Sequence, residues 1–219
     1  MIAALSGEKR QKPFAKLKLN IIQPRRHQLP QQGADAFFRE RTEKMNKIAK
    51  NTAFSALFLA LCMVLPLITF GSTQIGNMIS PMHIPVLICG FVCGWQYGAI
   101  VGFIAPLLRF FIFHMPPIYP IGAAMAFELC AYGLLCGLLY KAFPKKNVYI
   151  YPALIISMLG GRVVWGIARF IMAGLSGSDF NMSMFVAGAF INAVPAIICH
   201  IIIVPLVVMA FKKTGLMKD

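Results

Sequence analysis

Acidic residues are scarce in this chain. Of 219 residues only seven are Asp or Glu, against 21 Lys or Arg. Beyond Lys44 the acids are Glu128, Asp179 and the C-terminal Asp219. Catalysis that pairs one carboxyl as acid with another as base therefore has no pair to work with in the apolar part of the chain. Signature motifs are missing too. There is no G-x-x-x-x-G-K-[ST], which excludes ATP binding through that loop. Neither H-E-x-x-H nor G-x-S-x-G occurs, so the zinc-peptidase and serine-hydrolase arrangements drop out. The six cysteines (Cys62, Cys89, Cys93, Cys130, Cys136 and Cys199) all sit in apolar segments without metal-site spacing. They read as small hydrophobes. The sequence thus points to no enzyme, no metal and no cofactor. A secretory leader is also lacking, since the first apolar run is only Met1–Leu5.

What the chain has in excess is oil. Hydrophobic residues make up 58% of it, against about 45–50% in ordinary soluble domains. Charge is unevenly placed. Residues 1–52 hold twelve basic and four acidic side chains, and the other 167 residues hold nine and three. A basic tail followed by a membrane domain explains this pattern. The net charge of +14 then belongs at a lipid surface, with no nucleic acid as partner. Residues 1–44 mix Lys, Arg, Gln and Pro, and a tail without regular structure is expected up to about Phe38. Met45 opens a short basic lead into a long apolar run. Residues 1–44 therefore read as an N-terminal extension upstream of a shorter natural start, and 45–219 as the membrane domain.

A bilayer core of about 30 Å takes about 20 apolar residues per helix. Six runs qualify: 52–70, 84–93, 98–113, 118–140, 149–173 and 185–211. The second, between Pro85 and Gly94, is the weakest and is expected to be short, tilted or re-entrant. Lys and Arg avoid the first, third and fifth connections, whereas Lys141, Lys145 and Lys146 follow the fourth run and Lys212, Lys213 and Lys218 the sixth. By the positive-inside rule this alternation gives an all-α membrane protein with six transmembrane helices and both termini cytoplasmic.

Small residues recur at four-residue spacing. Gly90 and Gly94, Gly98 and Gly102, and Gly133 and Gly137 let helix backbones approach closely where lipid gives no hydrophobic drive. Thr52, Ala56 and Ala60 make a similar smooth stripe on the first helix, either packed internally or presented to another membrane subunit.

Ions inside the spans demand partners, since a charge at the bilayer centre costs at least about 2.5–3.5 kcal/mol. Glu128 lies ten residues into the fourth run, near the midplane, and Arg162 thirteen into the fifth, slightly outside it. Arg109 and Arg169 lie near the outer ends of the third and fifth runs, and Asn192 in the outer half of the sixth. Arg162, Trp165 and Arg169 share one helix face. His200 sits apart, deeper toward the cytoplasm, and reads as a packed structural residue. Glu128 and Arg162 suit either a register-fixing ion pair or a ligand site. Arg109 and Arg169 remain in excess. They either snorkel to headgroups or await a carboxylate or phosphate. Trp165, with Phe127, Tyr132 and Phe170 near it in sequence, offers rings for the apolar part of such a ligand.

The stretch "NTAFSALFLALCMVLP", followed by "MHIPVLICGFVCGWQYGAIVGFIAPLLR", resembles the S components of energy-coupling factor (ECF) vitamin transporters over about residues 46–211. The resemblance implies a six-helix subunit of a bacterial plasma membrane that captures a vitamin or precursor from outside. It implies as partners a transmembrane coupling subunit and two ATPase subunits, with docking on Thr52, Ala56 and Ala60. It places substrate among Glu128, Arg162, Trp165, Arg169 and Asn192, with Gln74 and Asn77 of the first loop as a lid. Surplus arginine, Arg109 included, favours an anionic compound such as pantothenate, with riboflavin next. A membrane-embedded enzyme acting on a lipid-like substrate, and a ligand-free assembly protein, are the alternatives.

Overall fold

A computed structural model describes residues 28–69, 80–115, 117–177, 181–191 and 193–217. The chain divides into two units, Met1–Met45 and Asn46–Asp219. The described residues form seven α-helices and no strand: α1 Gln28–Val64, α2 His83–Cys93, α3 Trp95–Phe113, α4 Ala123–Ala142, α5 Ile150–Ser176, α6 Met182–Val186 and α7 Val194–Lys213. A 3-10 turn, Leu65–Thr69, extends α1, and π turns Ile118–Gly122 and Ala187–Ile191 precede α4 and follow α6.

α1 begins at Gln28, so residues 28–38, expected to lack regular structure, are helical. Three Gln and two Ala in that stretch are good helix formers. An i,i+4 pair of Arg39 with Glu43 at 3.7 Å and a Thr42 hydroxyl bonded to the Phe38 carbonyl at 2.8 Å add local support.

Among the described residues, five helical stretches are long and apolar enough to cross a bilayer: Asp35–Leu67, Trp95–Phe113, Ile118–Ala142, Asn147–Leu175 and Met182–Lys213. The remaining segment, α2, has 11 residues. At about 1.5 Å per residue it is roughly 16 Å long, about half a bilayer core. Its position makes the short length tolerable. Ten of its residues are buried, and α1, α3, α4 and α7 pack around it, so no frayed helix end meets lipid. α1 is tied on by Asn51 Nδ2 donating to the Cys93 carbonyl at 3.2 Å and by Phe54 and Phe58 against Phe211. Gly94, with φ 97°, makes the abrupt joint between α2 and α3 that a side chain would strain.

The tightest seam is glycine on glycine. A Cβ on Gly133 would lie 2.2 Å from the carbonyl of Gly98, and one on Gly102 would lie 2.2 Å from the carbonyl of Leu129. Trp95 likewise abuts Gly137. These contacts fix an antiparallel register for α3 and α4 and bring two backbones together, as the four-residue spacing predicts. α5 packs on the other side of α4, with the Tyr132 ring seated on Gly161. At one end of the bundle Lys212 Nζ donates to the Lys145 carbonyl and Lys50 Nζ to the Leu216 carbonyl. That end is lysine-rich, and the α3–α4 and α5–α6 connections lie at the opposite end.

Candidate functional site

The polar groups of the interior gather around one carboxylate. Glu128, on α4, is 1% exposed. Its Oε1 accepts a hydrogen bond from Tyr132 Oη, one helical turn on, at 2.9 Å. Arg162 Nη1, on α5, approaches the same oxygen at 3.0 Å. His83 Nε2, from the first turn of α2, stands 3.7 Å from it. That separation is too long for a hydrogen bond. The His83 ring is tilted against Tyr132, centroids 5.5 Å apart, and stacked on His200 of α7, centroids 5.9 Å apart at 21°. Four helices thus contribute to one buried cluster.

The predicted Glu128–Arg162 pair is therefore formed. His200, expected to sit apart, instead joins the cluster through His83. His83 itself was missed as a site residue and read only as part of an apolar motif. The signal was available: a polar ring that starts an otherwise apolar helix needs a partner once buried. Tyr132, expected to offer its ring to a ligand, commits its hydroxyl to Glu128.

Arg109 and Arg169 form a second layer. The Gly98–Gly133 and Gly102–Leu129 contacts, continued along the register, set Arg109 level with Gly122. That is six residues before Glu128, about 9 Å along the axis and away from the lysine-rich end. The Glu128–Arg162 contact carries Arg169 to much the same level. Arg109 continues the Gly98, Gly102, Ala105 stripe that faces α4. It is half-buried, and its guanidinium lies 5.4 Å from the Phe113 ring. Among the described residues its buried Nη1 has no hydrogen-bond partner and no carboxylate pairs with it.

The aromatic residues expected near the charges make ring and apolar contacts of their own. Trp165 stacks on Phe185 at 26°, centroids 6.4 Å apart, and its ring lies against Gly188. Phe127 is exposed and packs edge-on to Phe103. Phe170 lines an apolar groove of about 430 Å³ with Val163, Ile167, Ile171, Met182 and Phe185. This groove includes none of the predicted binding residues. Gln74, Asn77 and Asn192 lie outside the described residues. Thr52, Ala56 and Ala60 are all exposed along one face of α1. Among the described residues no group of three or more His, Cys, Asp or Glu is placed to hold a metal ion.

Residues 50–210 match the family described as "ECF transporter, substrate-specific component". No curated protein and no solved structure matches the chain.

Proposed function

We propose, for a chain that belongs to the substrate-specific components of ECF transporters, that its cargo is a small anionic vitamin or precursor, pantothenate before riboflavin. As a member of that family it is a multi-pass membrane subunit that binds a small molecule and works with the ECF module. The finer reading rests chiefly on one observation: the buried Arg109 Nη1 without a protein partner among the described residues. Arg162 offsets Glu128, whereas no carboxylate among the described residues pairs with Arg109, and Arg169 lies at its level. A carboxylate entering that layer would gain charge-assisted hydrogen bonds in a low-dielectric setting. By resemblance to the family, Gln74 and Asn77 as a lid, with Asn192 and Trp165, complete this reading as further substrate contacts.

The lysine-rich end is read as cytoplasmic, so both termini face the cytoplasm of the cell and the arginine layer faces out. Thr52, Ala56 and Ala60 would dock a transmembrane coupling subunit that two ATPases drive. Glu128 is held by Arg162 and Tyr132, which disfavours its use as a catalytic acid or base in a membrane enzyme. Calorimetry of the purified full-length chain against pantothenate and riboflavin tests the reading. Pantothenate is expected to bind, and Arg109→Gln to weaken it roughly 10- to 100-fold, the loss of one charged hydrogen bond. Riboflavin binding that Arg109→Gln leaves untouched would refute the anion reading.

A further inference from the structure

We infer that His83, Glu128 and Arg162 form the inner end of the substrate site and receive an uncharged hydroxyl or amide of an elongated anion. The inference rests on the anion reading above and adds what the other end of the substrate must be. His83 is 4% exposed, yet neither ring nitrogen has a hydrogen-bond partner among the described residues. Arg162 Nε is buried and equally unpartnered. Burial without hydrogen bonding is costly enough that such groups mark a place for another molecule.

Glu128 does not satisfy them in this geometry. Tyr132 and Arg162 both use its Oε1, the oxygen that also faces His83. His83 Nε2 is left at 3.7 Å from that oxygen. His200 contributes a stacked ring rather than a hydrogen bond to His83. Two imidazole nitrogens, one a donor and one an acceptor when neutral, and one guanidinium N–H thus remain to be matched. A hydroxyl both donates and accepts, and an amide does so through separate atoms, so either group suits this mixed set. A second carboxylate does not, because it would stand beside Glu128 and be repelled by it. The charged end of the ligand therefore belongs in the Arg109 layer, about 9 Å outward by the helix rise. The substrate class is an anion of that span, charged at one end and hydroxyl- or amide-bearing at the other. His83 is its specificity-determining residue.

Pantothenate has a carboxylate at one end and a primary hydroxyl at the other, and it serves as the probe beside its analogue lacking that hydroxyl. Calorimetry on the full-length chain is expected to show at least a 10-fold preference for the hydroxylated probe, since sites built to bond a hydroxyl reject its absence strongly. His83→Ala is expected to bind both probes alike, and His83→Asn to keep part of the preference. Arg109→Gln should weaken both equally. Melting curves for each variant separate lost folding from lost recognition, and the two-probe comparison on the unaltered chain needs no variant at all. No preference in the unaltered chain, or a preference that survives His83→Ala, overturns this inference while leaving the anion reading standing. Binding of neither probe overturns both.

Discussion

Replacing Glu128 by Gln removes one charge from the centre of the bundle and almost no volume. The consequence follows from what surrounds it. Arg162 Nη1 lies 3.0 Å from the lost charge, with a side chain only 11% exposed, so water cannot take over the compensation. Breaking a buried pair from one side costs about 3–5 kcal/mol. Gln still accepts from Tyr132, so that bond, worth about 1 kcal/mol, is retained. Arg162→Met creates the mirror defect, an uncompensated carboxylate. Glu128→Gln with Arg162→Met removes both ions, and a neutral replacement of a buried pair is close to energetically even. The expected pattern is two damaging single changes and a double variant within about 1 kcal/mol of the parent, a coupling of at least about 3 kcal/mol. For a chain of this size each kcal/mol moves the melting midpoint by about 2–4 °C, so each single change should lower it by roughly 6–20 °C. The assay is thermal unfolding of the purified protein in one fixed detergent. Single effects that simply add in the double variant would show that the two side chains do not stabilise one another.

Three further outcomes follow from what an added side chain would meet on each helix. Gly133→Ala drives a methyl into the Gly98 backbone, which cannot move aside, and should cost about 3 kcal/mol or more. Gly174→Ala on exposed α5 meets nothing within 4 Å and should stabilise by about 0.5–1 kcal/mol through helix propensity; melting curves compare the two. Ala56→Leu adds bulk to the exposed stripe of α1. It should leave the melting midpoint unchanged but abolish co-purification with the coupling subunit and ATPases.

Much of this fold is legible because lipid simplifies the code. Five apolar runs became long helices, since a chain in a bilayer must satisfy its backbone within each span. The weak second run, bounded by Pro85 and Gly94, is the short α2. The paired glycines foretold close backbones, and the α3–α4 seam has them. Glu128 and Arg162 were legible as a pair because neither charge is stable alone in that setting. His83 was not legible in the same way. It lies 45 residues before Glu128, and nothing local says which of four neighbouring helices its ring will face. Phe170 neighbours Arg169 in sequence, but at 100° per residue the helix turns it into the apolar groove with Met182 and Phe185.

Residue order alone determined that this chain lives in a membrane, which apolar stretches become helices, and that its buried ions must compensate one another, because hydropathy and charge are properties of each side chain. Which oxygen of Glu128 is contested, that His83 and His200 stack beside it, and that Arg109 stands a layer away beyond its reach were decided only by tertiary structure. Helix rotation and register are collective outcomes of packing, set here by glycine contacts between α3 and α4, and no single stretch of sequence encodes them.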